Sequence, residues 1–264
     1  MKIGISTYAF RWSWQPEEAS LDLFDMLQKT REFEGEVFQI CDYPGIEKMD
    51  KEELLTLRET ADELGIELEL GTQGIHPDHL RKYLEIAHVL NSKVLRSMVH
   101  GNGHQPDNNE AVKWLKEISS DFEHVGVKLA LETYEPVKTA DLIQIVKAVN
   151  HSNIGICLDP GNSISELEFP DDVIRNTAPF VTNVHFKDFI FRRREGSIGF
   201  YLTGAPVGEG QLNLDFLLQT LKNEQVNVSG IIELWLPFTD TYEKTVEIQY
   251  DWIRRSINYL KRVI

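Results

Sequence analysis

The sequence predicts an α/β fold, a single-domain (β/α)8 TIM barrel that covers residues 1–264. Two patterns and the chain length support this fold. Eight short apolar runs recur along the chain, and segments with the apolar spacing of amphipathic helices lie between them. Strict alternation of strand and helix indicates βαβ units and a parallel sheet. Eight such units in 264 residues match the size of a closed barrel.

The predicted strands are short and rich in Ile, Val and Leu. Their boundaries, in chain order, are 3–8, 36–41, 66–71, 94–99, 128–134, 154–159, 181–187 and 230–235. No stretch rich in Pro, Gly or Ser divides the chain, so the sequence predicts one domain rather than two.

The predicted helices follow the strands in the same order. Their boundaries are 19–33, 51–64, 78–90, 109–125, 139–149, 171–178, 213–224 and 241–262. The second helix has the clearest ends. Asp50 is a suitable N-cap, Glu53 has the capping-box spacing, and Gly65 is typical of a helix stop.

A doubly wound open sheet is the competing fold. Such a sheet normally binds a nucleotide through a glycine-rich first turn, and the corresponding turn here reads STYAFRWSW. We therefore prefer the barrel. The interval between the seventh and eighth strands is unusually long, with residues 189–212 before the helix near Asn213. Because active sites are built from the loops after barrel strands, we predict a lid or a binding loop there.

Composition limits the classes of function. The 42 acidic and 27 basic residues give a formal charge of −15, which disfavours binding to nucleic acid. No apolar stretch reaches the roughly 20 residues that span a bilayer. The N-terminus lacks the apolar core of a signal peptide, so we expect a soluble, cytoplasmic protein. Cys41 and Cys157 lie in apolar runs and are predicted to be reduced, buried thiols.

Four of the later strands each carry, near the carboxyl end, a residue that can bind a metal ion. These residues are Glu132, Asp159, His185 and Glu233. The carboxyl ends of barrel strands meet at one mouth, so we expect these side chains to lie close together. Three carboxylates cannot be buried side by side without a cation or buried arginines. Oxygen ligands and one imidazole suit one divalent metal ion, Mn²⁺, Mg²⁺, Co²⁺ or Zn²⁺.

The stretches that contain these residues are LALET, ICLDPGN, NVHFKD and IIELW. In this order they resemble the xylose isomerase-like barrels, a superfamily of sugar isomerases, epimerases, dehydratases and endonuclease IV-type nucleases. The resemblance implies that Glu132, Asp159, His185 and Glu233 bind one divalent metal ion. It also implies that Glu132 and Glu233 are catalytic residues that transfer protons.

Two positions depart from the pattern of that superfamily. Many members have a histidine three residues after the aspartate of the sixth strand, where this chain has Asn162. Epimerases use a glutamate near the position of Lys138. These departures weaken the expectation of an epimerase and oppose a nuclease. The segments STYAFRW, DPGNS and GFYLTGAPVGEGQL resemble the branch that contains 3-oxo-isoapionate decarboxylases.

Several further residues are candidate substrate contacts. Lys187 lies two residues after His185, on the same face of its strand, and is also a candidate catalytic group; the alternative is a pair with Asp188 or Glu209. Arg96, in the fourth strand, faces either the metal cluster or the outside of the barrel. The remaining candidate contacts are His100, Asn162 and Glu209.

Three other features near the predicted mouth each have two interpretations. Arg192–Arg194 either lie exposed in the loop or capture an anionic substrate as the loop closes. His76 is either a substrate contact or an ordinary loop histidine. The aromatic residues either shield the site from water or pack in the core; they are Tyr8, Phe10, Trp12, Trp14 and Trp235.

These patterns predict a metal-dependent enzyme of carbohydrate metabolism that forms an enediolate from a small keto sugar or keto sugar acid. The first interpretation is an isomerase or epimerase. The alternative is a lyase, either a decarboxylase of a 3-oxo sugar acid such as 3-oxo-isoapionate or a dehydratase. A non-catalytic sugar-binding barrel is a third interpretation. We expect no nucleic-acid or membrane partner and leave a homo-oligomer open.

Overall fold

The computed structural model describes residues 1–16, 19–196 and 198–264. Eight parallel strands close into a barrel and follow one another around it in chain order. A separate antiparallel pair, β8 and β9, forms a hairpin. The strands within the described residues are β1 (Ile3–Ser6), β2 (Val37–Cys41), β3 (Glu67–Gly71), β4 (Val94–Ser97), β5 (Lys128–Glu132), β6 (Ile154–Leu158), β7 (Val181–Phe186), β8 (Phe189–Arg193), β9 (Phe200–Gly204) and β10 (Gly230–Ile232).

The helices lie between the barrel strands, as the alternating pattern predicts. Within the described residues they are α1 (Arg11–Trp14), α2 (Leu23–Glu32), α3 (Lys51–Leu64), α4 (Pro77–Val89), α5 (Asn108–Val125), α6 (Thr139–Val149), α7 (Pro170–Thr177), α8 (Leu214–Asn223) and α9 (Tyr242–Val263). The (β/α)8 barrel is therefore confirmed, and the open doubly wound sheet is excluded.

Helix boundaries follow the capping residues. Asp50 and Glu53 form the predicted capping box of α3, and Gly65 ends that helix at φ +67°. The predicted start of the first long helix at residue 19 is wrong. Helix α2 begins at Leu23 because Asp22 is the N-cap and forms a capping box with Asp25.

The predicted loop between the last two barrel strands is partly a hairpin. In it Phe191 pairs with Leu202 and Arg193 with Phe200, and Ser197 lies outside the described residues. Both ends of the hairpin are fixed, because Ala205 N–H donates to the Asp188 carbonyl over 3.1 Å. The hairpin was missed because its apolar alternation is interrupted by three consecutive arginines.

The main hydrophobic core lies between the barrel and its helices, where Phe38, Phe122 and Phe186 are fully buried. The interior of the barrel is narrower and more polar. A Cβ atom at Gly71 would lie only 2.3 Å from Cys41 Sγ, so the strand needs glycine there. Cys41 and Cys157 are both buried free thiols, as predicted. Among the described helices, none has the length and apolar composition needed to cross a bilayer.

Candidate metal and substrate site

The four predicted metal ligands meet at the mouth of the barrel. Glu132 is the last residue of β5, Asp159 directly follows β6, His185 lies in β7, and Glu233 directly follows β10. All four side chains are buried, and one potential ligand atom from each lies within 4.8 Å of the others. Parallel strands bring these residues together because their carboxyl ends reach the same rim.

His185 is the centre of this cluster. Its Nδ1 lies 3.2 Å from Glu132 Oε1, 3.5 Å from Glu233 Oε1 and 3.8 Å from Asp159 Oδ2. Burial opposes a charge on the ring, but the surrounding acidic groups outweigh it and raise the pKa of His185. The site therefore attracts positive charge at Nδ1, whether from a proton or from a metal ion.

The donor set fits a divalent cation. Glu132 Oε2, Asp159 Oδ2 and Glu233 Oε1 are buried and accept no well-aligned hydrogen bond from the described residues, although Arg96 lies against the first oxygen and Lys187 against the second. Buried carboxylate oxygens are costly unless hydrogen bonds or cations compensate them. Three such oxygens beside one imidazole nitrogen match the ligands of Mn²⁺, Mg²⁺, Co²⁺ or Zn²⁺.

Arg96 faces the barrel interior, which decides between the two orientations left open by the sequence. Its Nη2 contacts Glu132 Oε2, and its Nη1 lies 3.1 Å from Asp42 Oδ2. Nη1 also donates to the Thr72 carbonyl over 3.1 Å. Arg96 thus connects one predicted metal ligand to a second carboxylate, Asp42, which itself accepts a hydrogen bond from Tyr8 Oη over 3.0 Å.

Lys187 is the second buried cation. Its Nζ lies 2.6 Å from Asp159 Oδ2 and 2.8 Å from Glu233 Oε2. The expected alternative, a pair with Asp188 or Glu209, is therefore wrong. Burial opposes the charge on Lys187, but these carboxylates raise its pKa. Burial likewise opposes the Glu233 charge, yet His185, Lys187 and Arg96 lower the pKa of Glu233 to about 2.

The charges of this site leave room for a divalent ion. Four carboxylates, Glu132, Asp159, Glu233 and Asp42, face two permanent cations, and with a neutral His185 the sum is −2. A divalent cation would neutralise that sum. A substrate carboxylate would then pair with Arg96 or Lys187, which already pair with the proposed metal ligands.

Asn162, which replaces the histidine common in the superfamily, lies between the catalytic candidates. Its Nδ2 donates to Glu132 Oε1 over 3.0 Å, and its Oδ1 accepts from Lys187 Nζ over 3.2 Å. Asn162 therefore holds Glu132 and Lys187 in fixed relative positions while remaining at the edge of the pocket.

A pocket of about 300 Å³ opens beside the cluster. Arg96, Asn162, Lys187 and Glu233 contribute its polar wall. Its aromatic lining comes from Tyr8, Trp12, Tyr134 and Trp235. The Trp235 ring lies 5.2 Å from Lys187 Nζ and so shields this cation from bulk water. Of the other first-loop aromatics, Phe10 is fully buried and Trp14 packs on Tyr43, away from the pocket.

Some candidate substrate contacts lie elsewhere. The prediction that Glu209 contacts the substrate is wrong, because its exposed carboxylate pairs with Arg255 on α9. His100 lines a neighbouring cavity of about 200 Å³ that also reaches Glu132, and its Nε2 lies 3.2 Å from the Pro106 carbonyl.

The other features with two interpretations also lie outside the pocket. His76 stacks on His104, with ring centroids 4.7 Å apart. Arg192–Arg194 are exposed on the hairpin, and Lys138 pairs with Glu166.

Sequence reasoning missed the polar side chains inside the barrel. Gln39 and Glu69 alternate with apolar residues in VFQIC and ELELG, and Asp42 directly follows the first of these strands. A polar residue at an inward position of a buried strand is a usable signal, but inward and outward positions cannot be distinguished before the barrel register is known.

Comparisons with known proteins agree with this geometry. The model of the xylose isomerase-like TIM barrel family matches residues 27–262. The chain is 44% identical over 261 residues to the 3-oxo-isoapionate decarboxylase of Pectobacterium atrosepticum, covering 98% of this chain and 95% of the relative.

Two solved structures share the fold at low identity. The D-psicose 3-epimerase of Clostridium cellulolyticum H10 superposes with a TM-score of 0.74 at 16% identity, covering 100% of this chain and 99% of the other. The probable 3-DHS dehydratase of Bacillus anthracis superposes with a TM-score of 0.71 at 16% identity, covering 99% of both chains.

Proposed function

The chain belongs to the xylose isomerase-like TIM barrel family, and from that premise we propose that this enzyme is a metal-dependent decarboxylase of a 3-oxo sugar acid. The comparisons do not confirm an isomerase or epimerase, the first interpretation of the sequence. The named relative at 44% identity is a decarboxylase, which matches the alternative interpretation. The fold matches to an epimerase and a dehydratase do not distinguish the reactions, since both are at 16% identity.

One observation carries the choice of reaction: each glutamate that an epimerase would use as a base is held by a buried cation. Glu132 contacts Arg96 and accepts from Asn162, and Glu233 lies 2.8 Å from Lys187. For Glu233, the neighbouring cations lower the pKa and so weaken this carboxylate as a base. Removing a proton from carbon needs a basic group that is free to accept it, whereas decarboxylation needs none.

Glu132, Asp159, His185 and Glu233 are the residues that would hold one divalent metal ion. When bound, such an ion polarises a carbonyl and stabilises the negative charge that develops on its oxygen. Trp12 and Trp235 line the pocket beside these residues, and aromatic walls reduce the access of water, which strengthens charge interactions inside.

In the proposed reaction, the bond between the carboxylate carbon and its neighbour breaks and carbon dioxide leaves. The electron pair moves into the ketone as an enediolate, and the former carboxylate-bearing carbon then takes up a proton. Lys187 is the proposed proton donor, because its buried ammonium faces the pocket and a metal ion that took over Asp159 and Glu233 would remove the contacts that raise its pKa. Asn162 orients Lys187, and Arg96 keeps Glu132 in place beside the reacting oxygens.

The proposed substrate is 3-oxo-isoapionate or a closely related 3-oxo sugar acid. The support is the 44% identity to a decarboxylase of that name over nearly the whole chain. The size of the pocket, about 300 Å³, suits a small polyhydroxylated acid. A cytoplasmic location stays a prediction, supported by the two free thiols.

The decisive experiment compares 3-oxo sugar acids with neutral ketoses in deuterated water, with Mn²⁺ or Mg²⁺ added. Gas release and deuterium incorporation are followed in parallel by NMR. We expect stoichiometric carbon dioxide and one deuterium in the product of the acid, and no exchange into the ketose. Exchange into a ketose without gas release would overturn the decarboxylase in favour of an isomerase or epimerase.

We also propose that the hairpin β8–β9 joins two copies of this chain. Phe191 and Phe200 lie on one face of it, half-exposed or more, beside exposed arginines. A two-stranded hairpin is at best marginally stable alone in water. The segment 166–172 has complementary chemistry, since Leu167 and Phe169 are exposed among four carboxylates. A two-fold axis would place each hairpin against this acidic segment of the other copy.

A further inference from the structure

A chain of buried polar side chains runs through the barrel below the metal site. Gln39 Oε1 lies 2.9 Å from His185 Nε2, on the side of the ring opposite the carboxylates. Gln39 Nε2 donates to Glu69 Oε2 over 2.9 Å and to Asn183 Oδ1 over 3.0 Å. Glu69 also accepts from Asn183 Nδ2 over 3.1 Å and from the Ser229 hydroxyl. The roles described for the site do not use this network.

The hydrogen bonds in this network have a fixed direction. Glu69 Oε2 accepts, so it requires the amino end of the Gln39 amide, and Asn183 Oδ1 requires the same end. The carbonyl end of Gln39 must then face His185. The Cys41 thiol donates to that same Gln39 oxygen over 3.0 Å, which is consistent with burial raising the pKa of Cys41 and keeping it protonated.

A carbonyl oxygen can only accept, so His185 must carry a hydrogen on Nε2. With that hydrogen placed, a neutral His185 has its lone pair on Nδ1. Nδ1 is the nitrogen that faces Glu132, Asp159 and Glu233. Histidines that bind metals commonly donate their second N–H to an acceptor that fixes the tautomer.

Glu69 itself has no ion-pair partner within the described part of the chain, although it is only 6% exposed. A buried carboxylate held by neutral donors alone is costly, and burial raises the pKa of Glu69. If this position only filled space in the barrel, an apolar side chain would cost less to bury. Glu69 instead accepts hydrogen bonds from three side chains, and through them it orients Gln39 and Asn183.

We propose that Gln39 and Glu69 are positioning residues that select the His185 tautomer able to bind the metal. Glu69 orients the Gln39 amide, Gln39 holds the hydrogen on His185 Nε2, and Nδ1 is thereby presented to the ion. The inference rests on the metal site proposed above and extends it to the side chains that determine whether His185 is a ligand.

The test measures Mn²⁺ affinity by calorimetric titration of the full chain, independently of turnover. Gln39→Met removes the acceptor at nearly constant volume, and we expect about 10–100-fold weaker binding. Gln39→Glu combined with Glu69→Gln keeps an acceptor beside Nε2 without setting two carboxylates against each other, and should recover most of that loss. Glu69→Met frees the Gln39 amide to rotate and should weaken binding by a smaller factor.

Gln249→Met is the matched control for these variants. Gln249 is also a buried glutamine, but its side chain bonds Ser13 Oγ and the Trp12 backbone N–H, and no hydrogen bond of the described residues joins it to the four proposed ligands. We expect its Mn²⁺ affinity to equal that of the parent. Nitrogen-15 NMR of the Zn²⁺-loaded protein gives a second readout, and His185 should carry its hydrogen on Nε2 in the parent.

Each outcome has one meaning. Parent-like affinity in Gln39→Met, or an equal loss in Gln249→Met, overturns the role of Gln39. Parent-like affinity in Glu69→Met overturns the role of Glu69. A parent protein that binds no Mn²⁺ overturns the metal site and this inference together. Tight Mn²⁺ binding without decarboxylation overturns only the proposed reaction.

Discussion

Arg96 and Glu132 form an ion pair inside the barrel, with guanidinium Nη2 against carboxylate Oε2 and both side chains almost completely buried. Because Arg96 also pairs with Asp42, one guanidinium compensates the buried Glu132 carboxylate and the partly buried Asp42 carboxylate. Removing one partner of a buried pair leaves an uncompensated charge, which is far more costly than losing an exposed pair.

The first prediction concerns this pair. Arg96→Met should lower the free energy of unfolding by about 3–5 kcal/mol. Urea unfolding in the presence of a chelator measures the change. Arg58→Met is the matched control, since Arg58 pairs with Asp62 at the surface, and we expect a change of about 0–1 kcal/mol. Equal changes in the two variants would contradict the structural role assigned to Arg96.

The second prediction concerns the proposed proton donor. Lys187→Met should lower kcat for carbon dioxide release about 100-fold or more, because general acid catalysis contributes that much. Lys138→Met is the control, since Lys138 lies outside the pocket and pairs with Glu166, and its kcat should match the parent. If Lys187→Met raises KM and leaves kcat unchanged, Lys187 binds substrate and does not donate the proton.

The third prediction concerns metal removal. Mn²⁺ at 100 times its Kd should stabilise the parent by about 2.7 kcal/mol relative to the chelated protein, which raises Tm. Asp159→Asn should lose this response, since Asp159 is a proposed ligand. Asp62→Asn, at an exposed position, should retain it. A Tm response that survives in Asp159→Asn would exclude Asp159 as a ligand.

The fourth prediction concerns pH. Burial raises the pKa of Glu69 above its ordinary value near 4.5, so the folded state binds its proton more readily than the unfolded state. This contribution favours folding below the ordinary pKa and is lost as pH rises through the folded value. The unfolding free energy of Glu69→Gln should therefore fall less steeply with pH than that of the parent. Parallel profiles would contradict the raised pKa.

The fifth prediction concerns association. If the hairpin joins two copies, the parent should sediment as a dimer, and Phe200→Asp should shift it toward the monomer because an anion then meets the acidic segment 166–172. Val263→Asp changes an exposed residue far along the chain and should leave the dimer intact. If the parent is a monomer at micromolar concentration, the proposed dimer is wrong.

Most of the barrel could be predicted because its information is local. Apolar runs of strand length alternate with amphipathic segments, and capping residues such as Asp50 and Gly65 define ends within short windows of sequence. The meeting of the four proposed ligands could be predicted because a barrel brings the ends of its strands together. The predictions of the exact strand ends were less accurate, since several strands end before the last apolar residue of the run.

The partners of the ligands could not be predicted, because they depend on register. Strand periodicity placed Lys187 on the face of His185, but it did not identify Asp159 and Glu233 as the partners of Lys187. Asp188 accepts N–H bonds from Gly208, Gly210 and Leu212. The contact between Gln39 and His185 joins residues 146 positions apart, and no local pattern reports such a pair.

The fixation of the hairpin at Asp188 and Ala205 has a consequence for how this enzyme could diversify. The two ends of residues 189–204 meet through one backbone hydrogen bond, and the following loop is anchored on the Asp188 carboxylate. The exposed outer part of this segment could therefore be shortened, lengthened or exchanged without shifting the strand that carries His185, while Phe189 and Gly204 stay packed against the barrel. A barrel arranged in this way can acquire a new contact surface while its chemistry is inherited unchanged.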